Sequence, residues 1–239
     1  MPERIAIATF DAVGGPAKLQ RAEGDRFWAG PTDAGVYRVA RCARHSSPSY
    51  ADWSKVLWGS EIKDEAGQIF VKHQDRWQTL KAVSPKMTRE ALMQRNLELY
   101  GKYELPTRWL FNDFGHMTCY FYKDRNGNGR LDKDERIHTE YFHTTPDDEA
   151  ATAQGRPVTL SQSHGCIHLK PNDIDTMIEK GYFAPGNAVV VHSYEARVPH
   201  WSAEENGAKP FEVHFFPGLK KVVVTGRRPG RGIHPHGLQ

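Results

Sequence analysis

Cysteine is scarce in this 239-residue sequence: there are three, an odd number. A small disulfide scaffold would be denser in cysteine and even-numbered, so that class is excluded. Cys42 and Cys119 could form a pair, which the sequence does not decide, and at least one thiol stays free. Long apolar runs are also missing. No stretch approaches the ~18 apolar residues of a membrane-spanning helix. The start, Met1 to Phe10, lacks a basic segment followed by a longer apolar stretch and a cleavage site, so the chain as written shows no signal peptide. There is no internal repeat.

Charge of one sign is lacking as well. Lys and Arg number 32 against 29 Asp and Glu. The surplus sits in the last thirteen residues, where Arg227, Arg228 and Arg231 meet no acid, so the body is balanced. A nucleic-acid binder would carry a basic stripe on its body, and none is present. With 38% hydrophobic and 26% charged residues the chain is globular, and its length fits one large domain or one domain with an insertion.

The pattern is strand-rich with two helices. Strands are expected at Arg4–Phe10, Val36–Val39, Thr107–Phe111, His116–Tyr122, Ile137–His143 and Ala188–His192, and Phe211–Phe216 with Val222–Val224 forms a hairpin. One helix is expected over 85–100, with Ser84 as cap, Pro85 in the first turn and Gly101 as stop. A second is expected over 172–180, capped by Asn172. Residues 144–161 read as a polar loop. The fold class is therefore mainly β (α+β), a sandwich or barrel with helical additions.

The densest chemistry is Ser163-His164-Gly165-Cys166-Ile167-His168. A thiol attacks as the thiolate, which needs a neighbouring imidazole or positive backbone end. Gly165 permits a close backbone approach, and the N–H groups of Gly165 and Cys166 are able to face an oxyanion. His143, at the end of a strand, is a candidate base. Two alternatives stand beside this. Cys166 is an inert buried thiol, or His164, Cys166 and His168 share one face of a straight strand and bind a metal, which Gly165 and Pro171 oppose by favouring a turn.

Ser-His-Gly-Cys followed by an aliphatic residue, with a strand-end histidine upstream, resembles the L,D-transpeptidase (YkuD-like) catalytic domain family. Gly30-Pro31-Thr32-Asp33-Ala34-Gly35-Val36-Tyr37 is similar to that family's early turn and strand, with Asp33 in place of Pro. The resemblance implies a YkuD-like β fold over residues 1–198, with a helical insertion at about 43–104, and a separate C-terminal hairpin and basic tail over 199–239. It implies acyl transfer on peptidoglycan stem peptides through a thioester, resolved by an amine (crosslinking or exchange) or by water (carboxypeptidase). Matched residue by residue, Cys166 is the nucleophile, His143 the base, and His164 and Gly165 shape the turn. Ser163 orients the site. The family commonly has Arg or Asn where this chain has His168, which would hold a substrate carboxylate when protonated or through one N–H. From spacing alone, Tyr141, two residues before His143 and on the same strand face, is a candidate to border the pocket, with core packing as the alternative, and Arg156 is a further candidate for the carboxylate. An effector acting on a competitor's wall, with an immunity protein as partner, is an alternative within the class; a non-catalytic calcium-binding module is one outside it. The expected setting is the cell envelope or periplasm, or secretion by a route without a signal peptide.

The second motif runs from Asp124 to Glu135 and fits D-x-[DN]-x-[DN]-G-x5-E without a gap. Asp124, Asn126, Asn128, Asp132 and Glu135 supply side-chain oxygens and Arg130 a backbone carbonyl, an EF-hand-like calcium loop with Leu131 packed inward. Its flanks read as strands, so a single Ca²⁺ turn joining two strands is expected. The alternative is an ion-free hairpin loop.

Overall fold

The computed structural model describes residues 3–21, 27–204 and 206–229. Arg231 and the end of the basic tail lie outside the described residues.

Eight strands close into a barrel. They are β1 (Arg4–Val13), β2 (Gly35–Ala43), β6 (Thr118–Tyr122), β7 (Ile137–His143), β8 (Ile167–Leu169), β9 (Ala188–Val191), β10 (Ala208–Phe216) and β11 (Lys221–Arg227), in the order β1-β11-β10-β9-β2-β6-β7-β8. The sequence pattern explains the choice. In β2 Tyr37 and Val39 point inward while Val36 is exposed, and β10 and β11 bring Val213, Phe215, Val222 and Val224 to the same interior. Phe121, Phe142, Ile167, Leu169 and Val189 complete the core. Helix α4 (Pro171–Glu179) packs Ile174 and Met177 into it, both fully buried. Each such side chain contributes ~1.5–3 kcal/mol of transfer free energy.

The hairpin expected as a separate C-terminal unit from 199 onward is instead part of the barrel. β11 pairs with β1 along most of its length and β10 runs parallel to β9. A sheet with open edges at β1 and β9 would expose unpaired N–H and C=O groups, and the hairpin removes both edges.

The insertion is not simply helical. It holds its own antiparallel sheet, β3 (Ile62–Glu65), β4 (Gln68–His73) and β5 (Arg76–Thr79), followed by a single helical turn, α1 (Leu80–Val83), and α2 (Arg89–Tyr100). These strands are short and paired only with each other, so their periodicity barely rises above background. Helix α2 starts four residues later than expected, because Thr88 rather than Ser84 caps it, its side chain accepting from Ala91 N–H. Gly101 ends it as expected. A second core of Val56, Ile62, Val71, Leu80, Leu92, Leu99, Trp109 and Phe111 holds the insertion together. Residues 107–111, expected as a strand, cross this core with a single bridge, Arg108 to Glu61. Trp109 is fully buried and its Nε1–H donates to Trp53 C=O at 2.9 Å. Asn112 ties the insertion to the barrel through its amide N–H groups, which reach His45 C=O and Val56 C=O at 2.8 and 2.7 Å.

Two further boundaries moved. The 144–161 segment contains a helix, α3 (Pro146–Ala153), capped by Thr145 with Pro146 at its first position and three acids in its first turn. That start signal is plain in Thr-Pro-Asp-Asp-Glu and outweighs the alanine- and glycine-rich remainder. Asn172 lies inside α4, and its N-cap residue, Lys170, makes no side-chain capping bond.

Cys42 and Cys119 face each other across the antiparallel β2–β6 pair and form a disulfide, which leaves Cys166 as the free thiol. We expect replacement of both with Ser to lower unfolding free energy by ~2–4 kcal/mol in a denaturant titration. No change in the midpoint would show that the bond contributes nothing to stability.

Candidate active site

β7 and β8 run parallel for two residue pairs, Phe142 with Ile167 and His143 with His168. This register brings the Cys166 turn, immediately before β8, beside the end of β7. A cleft of about 990 Å³ opens there, lined by Cys166, His143, His164, Gly165, Ser163, His168 and Tyr141 among others. All seven residues expected at the site therefore meet in one cleft. Arg156 does not line it. His45, Phe114 and Glu140 do, and were not expected to.

The turn is clamped from three sides. Ser163, buried, accepts the Gly165 N–H at 3.0 Å and donates its hydroxyl to the Cys166 C=O. Thr32, from the early turn, donates its hydroxyl to the Gly165 C=O at 2.8 Å and accepts the Gly15 N–H at 3.1 Å. Tyr194 donates to the Gly15 C=O at 2.8 Å. Two glycines are obligatory here. Gly165 has φ +145, and a Cβ on it would lie 2.7 Å from Glu140 Oε1. A Cβ on Gly15 would lie 1.8 Å from the Gly30 C=O. His164 sits exposed at the rim, and its carbonyl accepts the Gly30 N–H at 3.3 Å. The Gly165 N–H is thus taken by Ser163 rather than presented to an oxyanion. Among the described residues the Cys166 N–H makes no hydrogen bond, so it is the free donor of this turn.

His143 is buried with Nδ1–H donating to the Thr144 C=O at 2.7 Å, which leaves Nε2 as the lone-pair nitrogen. Its ring lies 5.0 Å from Phe114 and 4.8 Å from His168. Burial, and then the neighbouring His168, push its pKa well below the ordinary value, so it is neutral. His168 is fixed by Nδ1–H to the Ser161 C=O at 2.8 Å, and burial lowers its pKa to about 4. At neutral pH its remaining nitrogen is an acceptor, which does not hold a carboxylate; that expectation is corrected. Burial pushes the Cys166 thiol up to about 12, although the Tyr141 backbone amide hydrogen-bonds the sulfur and works the other way. Burial thus favours the neutral form of both the Cys166 thiol and the His143 imidazole that line this cleft.

Behind His143 lies a charged network with no obvious sequence signal. Glu149, in the first turn of α3, accepts from the Thr144 hydroxyl, from His116 N–H at 3.1 Å and from His116 Nδ1 at 2.5 Å. His116 Nε2 reaches Asp175 on α4 at 2.8 Å. Both ring nitrogens donate, so the ring is an imidazolium: burial opposes the charge, but Glu149 and Asp175 outweigh it and hold the pKa up to about 9. The chain Asp175–His116–Glu149–Thr144 thereby fixes the carbonyl that orients His143. Spacing alone could not show this, since the four residues come from separate elements.

Among the described residues one side-chain cluster brings possible cation ligands together, and the turn expected to bind calcium is a separate place. At Asp33, His138 and Glu140 three ligand atoms lie within 4.8 Å of one another. The tautomer opposes a metal there: His138 Nδ1 accepts the Glu140 N–H at 3.1 Å, so Nε2 carries the proton and faces Asp33 Oδ2 at 3.4 Å. The 124–135 turn joins β6 and β7, as expected from its flanks. Asp124 accepts from Gly127 and Gly129 N–H, and Glu135 accepts from Arg125 and Asp132 N–H. Asn126 and Asn128 turn their amide N–H groups to Asp132, each at 2.7 Å. Leu131 is 39% exposed rather than packed inward, because a lone loop lacks the second loop that would cover it. His164, Cys166 and His168 do not share a strand face: Cys166 is in the turn, and β8 begins at Ile167.

A family model of the L,D-transpeptidase catalytic domain, YkuD, matches residues 5–191. Neither a curated protein nor a solved structure matches the chain.

The raised thiol pKa yields a pH prediction. The thiolate fraction of the free enzyme rises about tenfold per pH unit below that value. Alkylation of Cys166 by iodoacetamide, followed by mass spectrometry, is therefore expected to accelerate steadily from pH 7 to pH 9. A plateau by pH 7 would mean that the thiol is already ionised at rest.

Proposed function

Since the chain belongs to the L,D-transpeptidase catalytic-domain family, YkuD, we propose that it transfers the acyl group of peptidoglycan stem peptides through a thioester on Cys166. The family membership itself carries L,D-transpeptidase-type activity on peptidoglycan. The observation that supports the cysteine route is the meeting of Cys166 with His143 in one cleft, with Nδ1 of His143 tied to the Thr144 C=O and Nε2 left as base.

In this reading the Cys166 thiol gives its proton to His143 Nε2 as sulfur attacks the carbonyl carbon of the L,D bond. The Cys166 N–H donates to the oxyanion, and Gly165 contributes by letting the turn pack against Glu140 and Thr32. His143 then returns its proton to the departing amine. An amine or water resolves the thioester. Tyr141, whose ring stacks edge-on with Tyr120 at 4.9 Å, and the His164 rim border the substrate. A site of two neutral partners keeps the thiol unreactive until substrate displaces water and makes proton transfer favourable.

The Cys42–Cys119 disulfide supports an oxidising, extracytoplasmic setting, as does a peptidoglycan substrate. No helix among the described residues is long and apolar enough to cross a membrane. We further propose that the 124–135 turn binds Ca²⁺ as a structural ion, held by Asp124, Asn126, Asn128, Asp132 and Glu135 with the Arg130 carbonyl. The donor set is all oxygen. Glu135 is a buried carboxylate with no cationic side chain in ion-pair reach among the described residues. The ion would brace the start of β7, whose far end carries His143.

Two experiments check this. Muropeptides incubated with the protein should yield crosslinked dimers, exchanged stems or tripeptides by mass spectrometry, and Cys166→Ala should lose at least ~10³-fold of that activity; undiminished turnover by the variant would remove Cys166 from the mechanism. Calcium titrated into EDTA-treated protein should release or absorb heat and raise Tm, and Asp124→Ala should abolish both effects. A silent titration would return the turn to a plain hairpin loop.

A further inference from the structure

Glu140 is a cleft residue that carries no proton or bond change in the mechanism above. It lies on β7, three residues before His143, and lines the cleft with Cys166. One carboxylate oxygen, Oε2, is pinned by the Asp33 N–H at 3.0 Å. The other, Oε1, faces the Cys166 turn, 2.7 Å from where a Gly165 Cβ would stand. Among the described residues Oε1 accepts no hydrogen bond, and no lysine or arginine comes within ion-pair distance. The nearest candidate cation, His138 Nδ1, is 3.9 Å from Oε2 and is itself an acceptor for the Glu140 N–H. The side chain is 15% exposed, so this is an oriented, largely desolvated carboxylate with one oxygen unspent. Asp33, 69% exposed, adds a second anion on the same side.

A stem-peptide donor ends in a carboxylate, which this side of the cleft repels. An ammonium fits it. We propose that Glu140 receives the acceptor of the second half-reaction, an amine arriving as a primary ammonium, and takes one proton from it before it attacks the Cys166 thioester. The inference rests on the acyl-transfer reading above.

The proton count gives the reason. An ammonium carries three N–H protons and the product amide keeps one. The C–N bond forms and the C–S bond breaks. One proton reaches the leaving sulfur through His143, and the other needs a second base, which is Glu140; it later goes to solvent. Water needs no such base, because one proton goes to sulfur and the other stays on the acid product. Burial lifts the Glu140 carboxyl to about 7, against the Asp33 N–H hydrogen bond and with a smaller push from the Asp33 charge, which suits a group that must both accept and release a proton near neutrality.

The test reads how the acyl-enzyme partitions, so changes in acylation rate do not enter. A tetrapeptide-stem donor is offered with D-methionine, charged at pH 7, or with hydroxylamine, neutral at pH 7, and products are counted by mass spectrometry. Glu140→Gln is expected to lower the ratio of D-methionine exchange to hydrolysis at least tenfold. Hydroxylamine capture should change less than threefold, and Glu140→Asp should recover most of the exchange. A ratio within threefold of wild type, or an equal fall with hydroxylamine, overturns the proposal. If Glu140→Gln does not fold, the wild type decides. Its exchange constant in total D-methionine should be flat from pH 7.5 to 8.5, whereas capture of the free amine from solution would rise about tenfold per pH unit. A wild type that acylates but never exchanges overturns this proposal alone; one that never acylates overturns the reading beneath it as well.

Discussion

Two residue pairs carry the architecture of the site. The parallel contact between β7 and β8, Phe142 with Ile167 and His143 with His168, closes the barrel and sets His143 against the Cys166 turn at once. A one-residue slip would turn His143 away from the cleft and Phe142 into it. So short a contact does not hold by itself. Antiparallel pairing of β8 with β1, through Leu169 with Ala12 and His168 with Val13, supplies the other side. The buried Phe142, Ile167 and Leu169 supply the apolar driving force.

Around that seam the polar groups are arranged to leave few loose ends. Thr32 and Ser163 between them satisfy the carbonyls of Gly165 and Cys166 and the N–H groups of Gly15 and Gly165. On the opposite side Asp175, His116, Glu149 and Thr144 form a chain that crosses from α4 to α3 and ends at the carbonyl holding His143. Buried networks of this kind are costly when incomplete and rigid when complete. In the proposed mechanism that rigidity serves a proton transfer between the Cys166 thiol and the His143 imidazole.

Much of this was legible in the residues. Ser163-His164-Gly165-Cys166, the strand-end His143 and the early Gly30–Tyr37 turn pointed to one cleft, because each is a local pattern with a local consequence. The flanks of the 124–135 motif likewise announced two strands. What escaped was non-local. Nothing in the spacing of Val222–Val224 says that this hairpin seals the barrel against β1. The three short strands of the insertion pair only with one another and look like loop. Glu140 and Glu149 are ordinary acids until the fold sets one against Gly165 and the other against Thr144. His168 was expected to meet a carboxylate; its burial and its bond to Ser161 make it an acceptor instead.

The account turns on one atom, the sulfur of Cys166, forming a covalent bond with a carbonyl donor inside this cleft. The most direct measurement is the intact mass of the protein after exposure to a carbapenem, with peptide mapping of any adduct. The account predicts one adduct per chain, located on Cys166 and lost in Cys166→Ala. An unmodified wild type, or an adduct that survives in the alanine variant, would contradict it.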